Sequence, residues 1–309
     1  MSLPLVGNRD IIDLGASKEA NRQNVDKDEF LQALQAEAET FTQAVSTENG
    51  DWIIKGFIDI YRRVYTLSVD TKVVSKVLEL LLYPAFVRFA ETHDFDLQLA
   101  PQQNFYPDLT FVSRTDGTKF AVDIKSTYRL SETRVSGMTL GAFTGYFRNR
   151  DSNKNTLYPY NQYAGHYVLG VIYSQALDER QQYTLDDLER IPSVIRSFQF
   201  FAQPKYRIAS TAPGSGNTKN IGSVATFSDL VNGTGAFAVL GEEVYDDYWK
   251  FYLTADMART VSLPRPYANL KTYLEYKQRG MAILEAHAEE IRHLAEDDAP
   301  LAESDEEAN

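Results

Sequence analysis

The chain has 309 residues, 43% of them hydrophobic and 12% aromatic, with no cysteine, four histidines and a net charge of −12. The apolar content is that of a folded protein, no apolar run approaches the roughly 18 residues that span a membrane, and the first ten residues lack the charged and apolar regions of a signal peptide. The absence of cysteine excludes disulfides and thiolate metal sites; His93 and His166 stand alone and His287 and His293 lie in a charged tail, so carboxylates and lysine must carry any chemistry.

The charge is unevenly spread. From Glu285 to Asn309 ten acidic residues face one arginine, a net −9 that leaves only −3 for residues 1–284. A segment of that kind is expected to be a solvated, disordered tail. The near-neutral body then has room for a basic cleft, so the overall acidity does not exclude nucleic acid as a partner. The expected location is the cytoplasm, away from any membrane.

In chain order, residues 1–28 are polar and mixed and read as an N-terminal arm. A helix is predicted from about Lys27 to Val45, with Phe30, Leu31 and Leu34 on one face. Ile53 to Tyr65 is apolar and β-branched. Ser68 or Asp70 can cap the next helix, which runs through VVSKVLELLLYPAFVRFAETH and should bend or split at Pro84. Glu79 interrupts its apolar face, either as a polar edge shared with Lys72 or Lys76 or as a functional carboxylate. Lys72 reads equally as a solvated charge or a phosphate contact. The stretch NFYPDLTFVSRTDGTKFAVDIKSTY follows, with Leu109–Phe111 and Lys119–Ile124 alternating as strands do and Asp116-Gly117 between them as a hairpin signal. Tyr163 to Tyr173 reads as a buried helix and Phe198 to Ala209 as strand-like. Asp246–Leu253 and Ala268–Ile291 look helical. No repeat and no Ser/Gly-rich linker interrupts the chain, so residues 29–284 are expected to form one mixed α/β domain.

With Asp116-Gly117 at the hairpin tip, Asp108 falls roughly opposite Lys125 and Thr110 roughly opposite Asp123, within about 5–8 Å. Asp123 and Lys125 are two apart and share one sheet face, while Phe120, Val122 and Ile124 take the other, apolar face. Two carboxylates and an ammonium thus converge at the open end of a hairpin. Mg²⁺ takes oxygen ligands of this kind, and one or two carboxylates leave positions for water and phosphate oxygens. The lysine can orient or deprotonate a water and offset charge on a phosphoryl transition state. The alternative is an ion pair on a sheet surface, worth about 0–1 kcal/mol.

PGSGNTKNIGS, from Pro213 to Ser223, is a second unusual stretch. It is not a P-loop, because Lys219 is followed by Asn220, and it lacks the third glycine of a dinucleotide fingerprint. It offers amides, a hydroxyl and flexible backbone, or serves as an ordinary turn.

Pro107-Asp108 followed by Asp123-Ile124-Lys125 is the proline-aspartate…aspartate-X-lysine nuclease signature. Together with SVDTKVVSKVLEL, QQNFYPD, AVDIKSTY, TLGAFTGYFRN, LYPYNQY and PGSGNTKNIGS, in that order, it resembles the EcoRV-type restriction endonucleases over roughly Glu29 to Arg279. The resemblance implies a restriction-endonuclease-like core, a mixed β-sheet flanked by helices, in a homodimer that clamps double-stranded DNA. It implies Asp108 and Asp123 as Mg²⁺ ligands, Lys125 as the catalytic lysine and Glu79 as an accessory acidic residue near the metal. Gln102, Gln103 and Asn104 match the family's minor-groove loop, and Thr71 and Lys72, after Asp70, match a segment near the DNA backbone. Thr127, two beyond Lys125 on the same strand, is a further expected DNA contact. Gly214, Ser215, Gly216, Asn217, Thr218 and Asn220 match the major-groove recognition loop, which departs from the family's type member at Lys219. The implied target is GATATC, cut bluntly at its centre, with a cognate DNA methyltransferase in the same cell. A cleavage-inactive DNA-binding protein, or a repair nuclease of the same superfamily, is the alternative; the intact Asp108, Asp123 and Lys125 set and the intact Asn217-Thr218 loop argue against each in turn.

Overall fold

The computed structural model describes residues 26–102, 104–176, 182–214 and 219–277. The N-terminal arm, nearly all of it, and the acidic tail lie outside these residues. In chain order the helices are α1 (Lys27–Ala36), α2 (Ala38–Val45), α3 (Thr71–Thr92), α4 (Phe227–Asn232), α5 (Ala236–Leu240), α6 (Glu242–Phe251), α7 (Ala255–Thr260) and α8 (Leu270–Tyr276). The strands are β1 (Gly56–Ile58), β2 (Arg63–Thr66), β3 (Phe95–Leu99), β4 (Leu109–Ser113), β5 (Lys119–Tyr128), β6 (Thr139–Ala142), β7 (Tyr163–Gln175), β8 (Gln182–Thr184), β9 (Ile195–Pro204), β10 (Ala209–Pro213) and β11 (Asn220–Ser223). They form three sheets, β1-β2-β8, β10-β11-β6 and a central five-stranded one, and the last is the mixed sheet flanked by helices that the sequence led us to expect.

The central sheet has the order β3-β4-β5-β7-β9, with β5 and β7 parallel and the other neighbours antiparallel. Its two faces bury separate cores. On one face Phe120 and Val122 of β5 pack with Phe30, Leu34, Phe86 and Phe89 from α1 and α3, and the Phe30 and Phe120 rings stack at 4.2 Å between centroids. On the other face Ala121 and Val168 pack with Phe143, Tyr245, Trp249 and Tyr273. Alternation along β5 therefore sends Phe120 and Val122 one way and Ala121 and Asp123 the other, as a strand period of two requires.

Three predicted elements are corrected. Tyr163–Tyr173 is not a helix but most of β7, and β7 is buried along almost its whole length between β5 and β9. A strand covered on both faces reads as a continuous apolar run, and period alone cannot separate it from a buried helix. α3 does not split: it is continuous over 22 residues with Pro84 inside. Pro84 and Leu80 are exposed, so the Leu80 carbonyl that loses its partner faces water. Asp70 is its cap, accepting from the Lys72 and Val73 amides. The helix predicted over Lys27–Val45 is two helices, divided at Glu37. Of the last helix, predicted over Ala268–Ile291, the described residues contain Leu270–Tyr276, and residues 278–291 lie outside them.

The hairpin register is also corrected. Asp116-Gly117 is not a two-residue tip. It closes a four-residue loop, Arg114 to Gly117, bounded by a Ser113 amide bond to the Thr118 carbonyl and with Gly117 at φ +76°. Leu109 pairs with Val122 and Thr110 with Ala121. Continuing one step, Asp108 lies across from Asp123 rather than from Lys125.

Candidate active site

The corrected register brings the carboxylates closer than expected. The Asp108 amide donates to Asp123 Oδ1 at 3.3 Å, and the Ile124 amide donates to Asp108 Oδ2 at 2.8 Å. Each aspartate is thus tied to the other's strand by backbone. Lys125, one residue beyond Ile124, reaches both, with Nζ 3.4 Å from Asp108 Oδ2 and 3.6 Å from Asp123 Oδ2. Among the described residues no hydrogen bond reaches Asp108 Oδ1. Asp108 and Lys125 line an open groove of about 980 Å³ together with Lys72, Ser75, Lys76 and Glu79 of α3.

The two carboxylates are electrostatically unequal. Burial pushes the Asp108 carboxyl above the usual carboxylate range, with Lys125 opposing and the Asp123 charge adding to the rise. Asp123 is more deeply buried, which alone would raise it, yet the Lys125 and Lys205 ammoniums outweigh burial and hold it below the usual range. Burial would lower Lys125, but Asp108 and Asp123 overcome it and hold its ammonium above the usual lysine value. Lys125 is therefore a cation at neutral pH. It can donate to a water or a phosphate oxygen, but in this state it is no base.

The remaining predicted residues divide. Glu79 faces the same groove, but its carboxylate is taken by Lys76 at 2.6 Å. Among the described residues no three acidic or histidine side chains gather as a metal-binding cluster. Lys72 and Thr71 open α3, and Lys72 and Gln102 line the groove. Asn104 is exposed and donates to Asn155 Oδ1 at 3.5 Å. Thr127 is buried, its hydroxyl given to the Ser136 carbonyl, so the structure does not place it at the groove. Gly214 directly follows β10, its amide donating to the Asn220 carbonyl at 2.9 Å. Lys219 directly precedes β11, its carbonyl accepting from the Phe143 amide at 3.0 Å. Gln103, Ser215, Gly216, Asn217 and Thr218 lie outside the described residues.

Sequence reasoning missed Lys205. It sits in a 3-10 turn directly after β9, is 2% exposed, and places Nζ 3.4 Å from Asp123 Oδ2 and 4.1 Å from the centre of the Tyr106 ring. It lies 80 residues beyond the signature in the chain, with Arg207 two residues on, so nothing in the sequence sets it apart.

Two aspartates and a lysine at the end of a hairpin, on a mixed sheet and beside an open groove, form the proline-aspartate…aspartate-X-lysine pattern expected of a phosphodiester hydrolase. The narrower assignment follows from comparison: the chain belongs to the EcoRV restriction endonuclease family, whose model, described as "Restriction endonuclease EcoRV", matches residues 48–278. It is 34% identical over 242 residues to the type II restriction enzyme EcoRV of Escherichia coli, an alignment covering 77% of this chain and 96% of that protein. Among solved structures, the NlaIV restriction endonuclease aligns with a TM-score of 0.36 and 12% identity, over 84% of this chain and 95% of the other. The chain is thus a type II restriction endonuclease of the EcoRV type, a site-specific deoxyribonuclease acting on double-stranded DNA. Among the described residues no helix is long and apolar enough to cross a membrane.

Proposed function

We propose that this enzyme cuts both strands of DNA at GATATC, bluntly and with Mg²⁺, as a homodimer. The observation that carries the reading is the convergence of Asp108, Asp123 and Lys125 at the end of the groove. The donor set fits a hard cation: two carboxylates supply oxygen ligands, and Asp108 keeps one oxygen free of hydrogen bonds from the described residues. Asp108 and Asp123 would hold the ion, with Glu79 near enough along the groove to assist once Lys76 releases it. Bound there, Mg²⁺ would polarise the scissile phosphate and activate water. Lys125 supplies a fixed positive charge to the phosphate oxygens as negative charge grows on them. Lys72 and Thr71, at the start of α3, suit the DNA backbone.

Base reading is assigned to the turn from Gly214 to Asn220. Gly214 and Gly216 let backbone approach base edges, Asn217 offers the donor and acceptor that suit adenine N6 and N7, and Thr218 brings a methyl for thymine. Ser215 and Lys219 flank these contacts. Gln102, Gln103 and Asn104 would approach from the minor groove, opposite a central cut. A palindromic site calls for a two-fold protein. The apolar surface of the small β1-β2-β8 sheet supports this, since it exposes Phe57, Ile58 and Tyr65 with Ile60 at 88% and Tyr61 at 72% beside them. Such a nuclease would act in the cytoplasm beside a methyltransferase that protects the same target. Asp108→Ala, Asp123→Ala and Lys125→Ala are each expected to lower cleavage of a GATATC plasmid by at least about 10²-fold while far-ultraviolet circular dichroism stays unchanged. Cleavage near the wild-type rate by any of the three removes the assignment.

A further inference from the structure

Lys205 is an unusual group for its surroundings. A lysine with 2% exposure loses the water that ordinarily stabilises its charge, and burial accordingly lowers its basicity. Its ammonium has two supports among the described residues. One is Asp123 Oδ2 at 3.4 Å and the other is the face of Tyr106, 4.1 Å from the ring centre. Tyr106 is itself buried, stacks on Tyr146 at 4.8 Å and shares a 2.7 Å hydrogen bond with His166. Lys205 therefore has no route to solvent or to DNA. Lys125 differs: it lines the groove, its side chain is 23% exposed, and it reaches both aspartates rather than Asp123 alone.

The charge count sharpens the contrast. Asp108, Asp123, Lys125 and Lys205 sum to zero, and Glu79 is separately paired with Lys76. Without Lys205 the buried Asp123 carboxylate would have Lys125 as its one remaining counter-ion among the described residues. Lys125 would then be drawn down toward Asp123 and away from the groove. We infer that Lys205 is a positioning residue: a permanent buried counter-ion for Asp123 that frees Lys125 to serve the scissile phosphate and keeps the unliganded carboxylate pair from attracting divalent cations strongly. Lys205 touches neither substrate nor reacting atoms, and it acts through Asp123 and Lys125. The idea rests on the Mg²⁺-nuclease reading above.

The test uses the full chain with Lys205→Met, which keeps length and removes charge, and Lys205→Arg, which keeps charge. Steady-state cleavage of a GATATC duplex with Mg²⁺ is expected to show kcat lowered about 10–100-fold in Lys205→Met, in the range seen for residues that orient metal ligands, with KM within about twofold because no DNA contact is lost. Calorimetric titration of Mn²⁺ into the DNA-free protein is expected to show tighter binding in the same variant, since the cluster then carries a net negative charge. A general loosening of the site would weaken both properties, so a fall in kcat with a gain in Mn²⁺ affinity is specific to the counter-ion role. Lys205→Arg should return both values toward wild type. If Lys205→Met does not give a wild-type circular dichroism spectrum, Lys205→Gln is measured in its place against the same expectations. An unchanged kcat, or Mn²⁺ binding that is weaker or unchanged, overturns the role of Lys205. Failure of the wild-type enzyme to cleave with Mg²⁺ overturns the underlying reading instead.

Discussion

Asp123→Asn tests the electrostatics of the site without relying on catalysis. The change is isosteric, so packing around residue 123 is retained, but two ammoniums lose a counter-ion. Lys125 keeps Asp108 at 3.4 Å and part of its exposure. Among the described residues Lys205 keeps only the Tyr106 ring, because its one ion pair there is with Asp123. Removing one partner of a buried ion pair costs about 3–5 kcal/mol, since the remaining charge stays desolvated and unpaired. At about 2–4 °C per kcal/mol for a domain of this size, the melting temperature should fall by about 6–20 °C. Urea unfolding followed by the fluorescence of the buried Trp52 and Trp249 measures the loss directly. Adding Lys205→Met to Asp123→Asn should recover at least about half of it, because the stranded charge is gone and the two residues are in contact. A loss below about 1 kcal/mol, or no recovery in the double variant, would refute the claim that Lys205 is a buried cation held by Asp123.

Three further outcomes follow from the same geometry. Gly170 pairs with Lys125 across β5 and β7, and a methyl there would overlap the Phe201 ring; Gly170→Ala should cost about 1–3 kcal/mol by overpacking and slow cleavage, with Phe201→Leu restoring stability in urea titrations. Burial holds His166 well below the usual histidine range, so below about pH 6.5 the unfolded chain binds a proton that the folded one does not, and stability falls by about 1.4 kcal/mol per pH unit. His166→Phe should flatten that slope as the pH falls below about 6.5; an unaltered slope would mean that His166 is protonated in the fold. Ile60→Glu combined with Tyr61→Glu should shift sedimentation from dimer to monomer, and a wild-type monomer would contradict the proposed assembly.

The site was legible in the sequence to the extent that its groups are local. Pro107-Asp108 and Asp123-Ile124-Lys125 flank one hairpin, so strand alternation and a turn signal were enough to bring them to one end. The register came out two residues off because Asp-Gly marks a turn but does not say how many residues the turn contains. β7 was misread for a different reason: a strand covered on both faces loses the alternation that marks a half-buried one. Lys205 was invisible because its role arises from β9 running beside β7, which in turn runs beside β5, and a single sequence carries no trace of that neighbourhood. The exposed apolar residues at Phe57, Ile58 and Ile60 were legible as apolar but not as exposed, since their small sheet leaves them without a covering layer.

The most direct test of the account is digestion of a random-sequence DNA library by the wild-type enzyme with Mg²⁺, with the ends of every product sequenced. The account predicts blunt ends that divide GATATC at its centre, and no products when Mg²⁺ is chelated. Ends at another hexamer, at no fixed sequence, or with overhangs would contradict the assignment of base reading to the turn from Gly214 to Asn220.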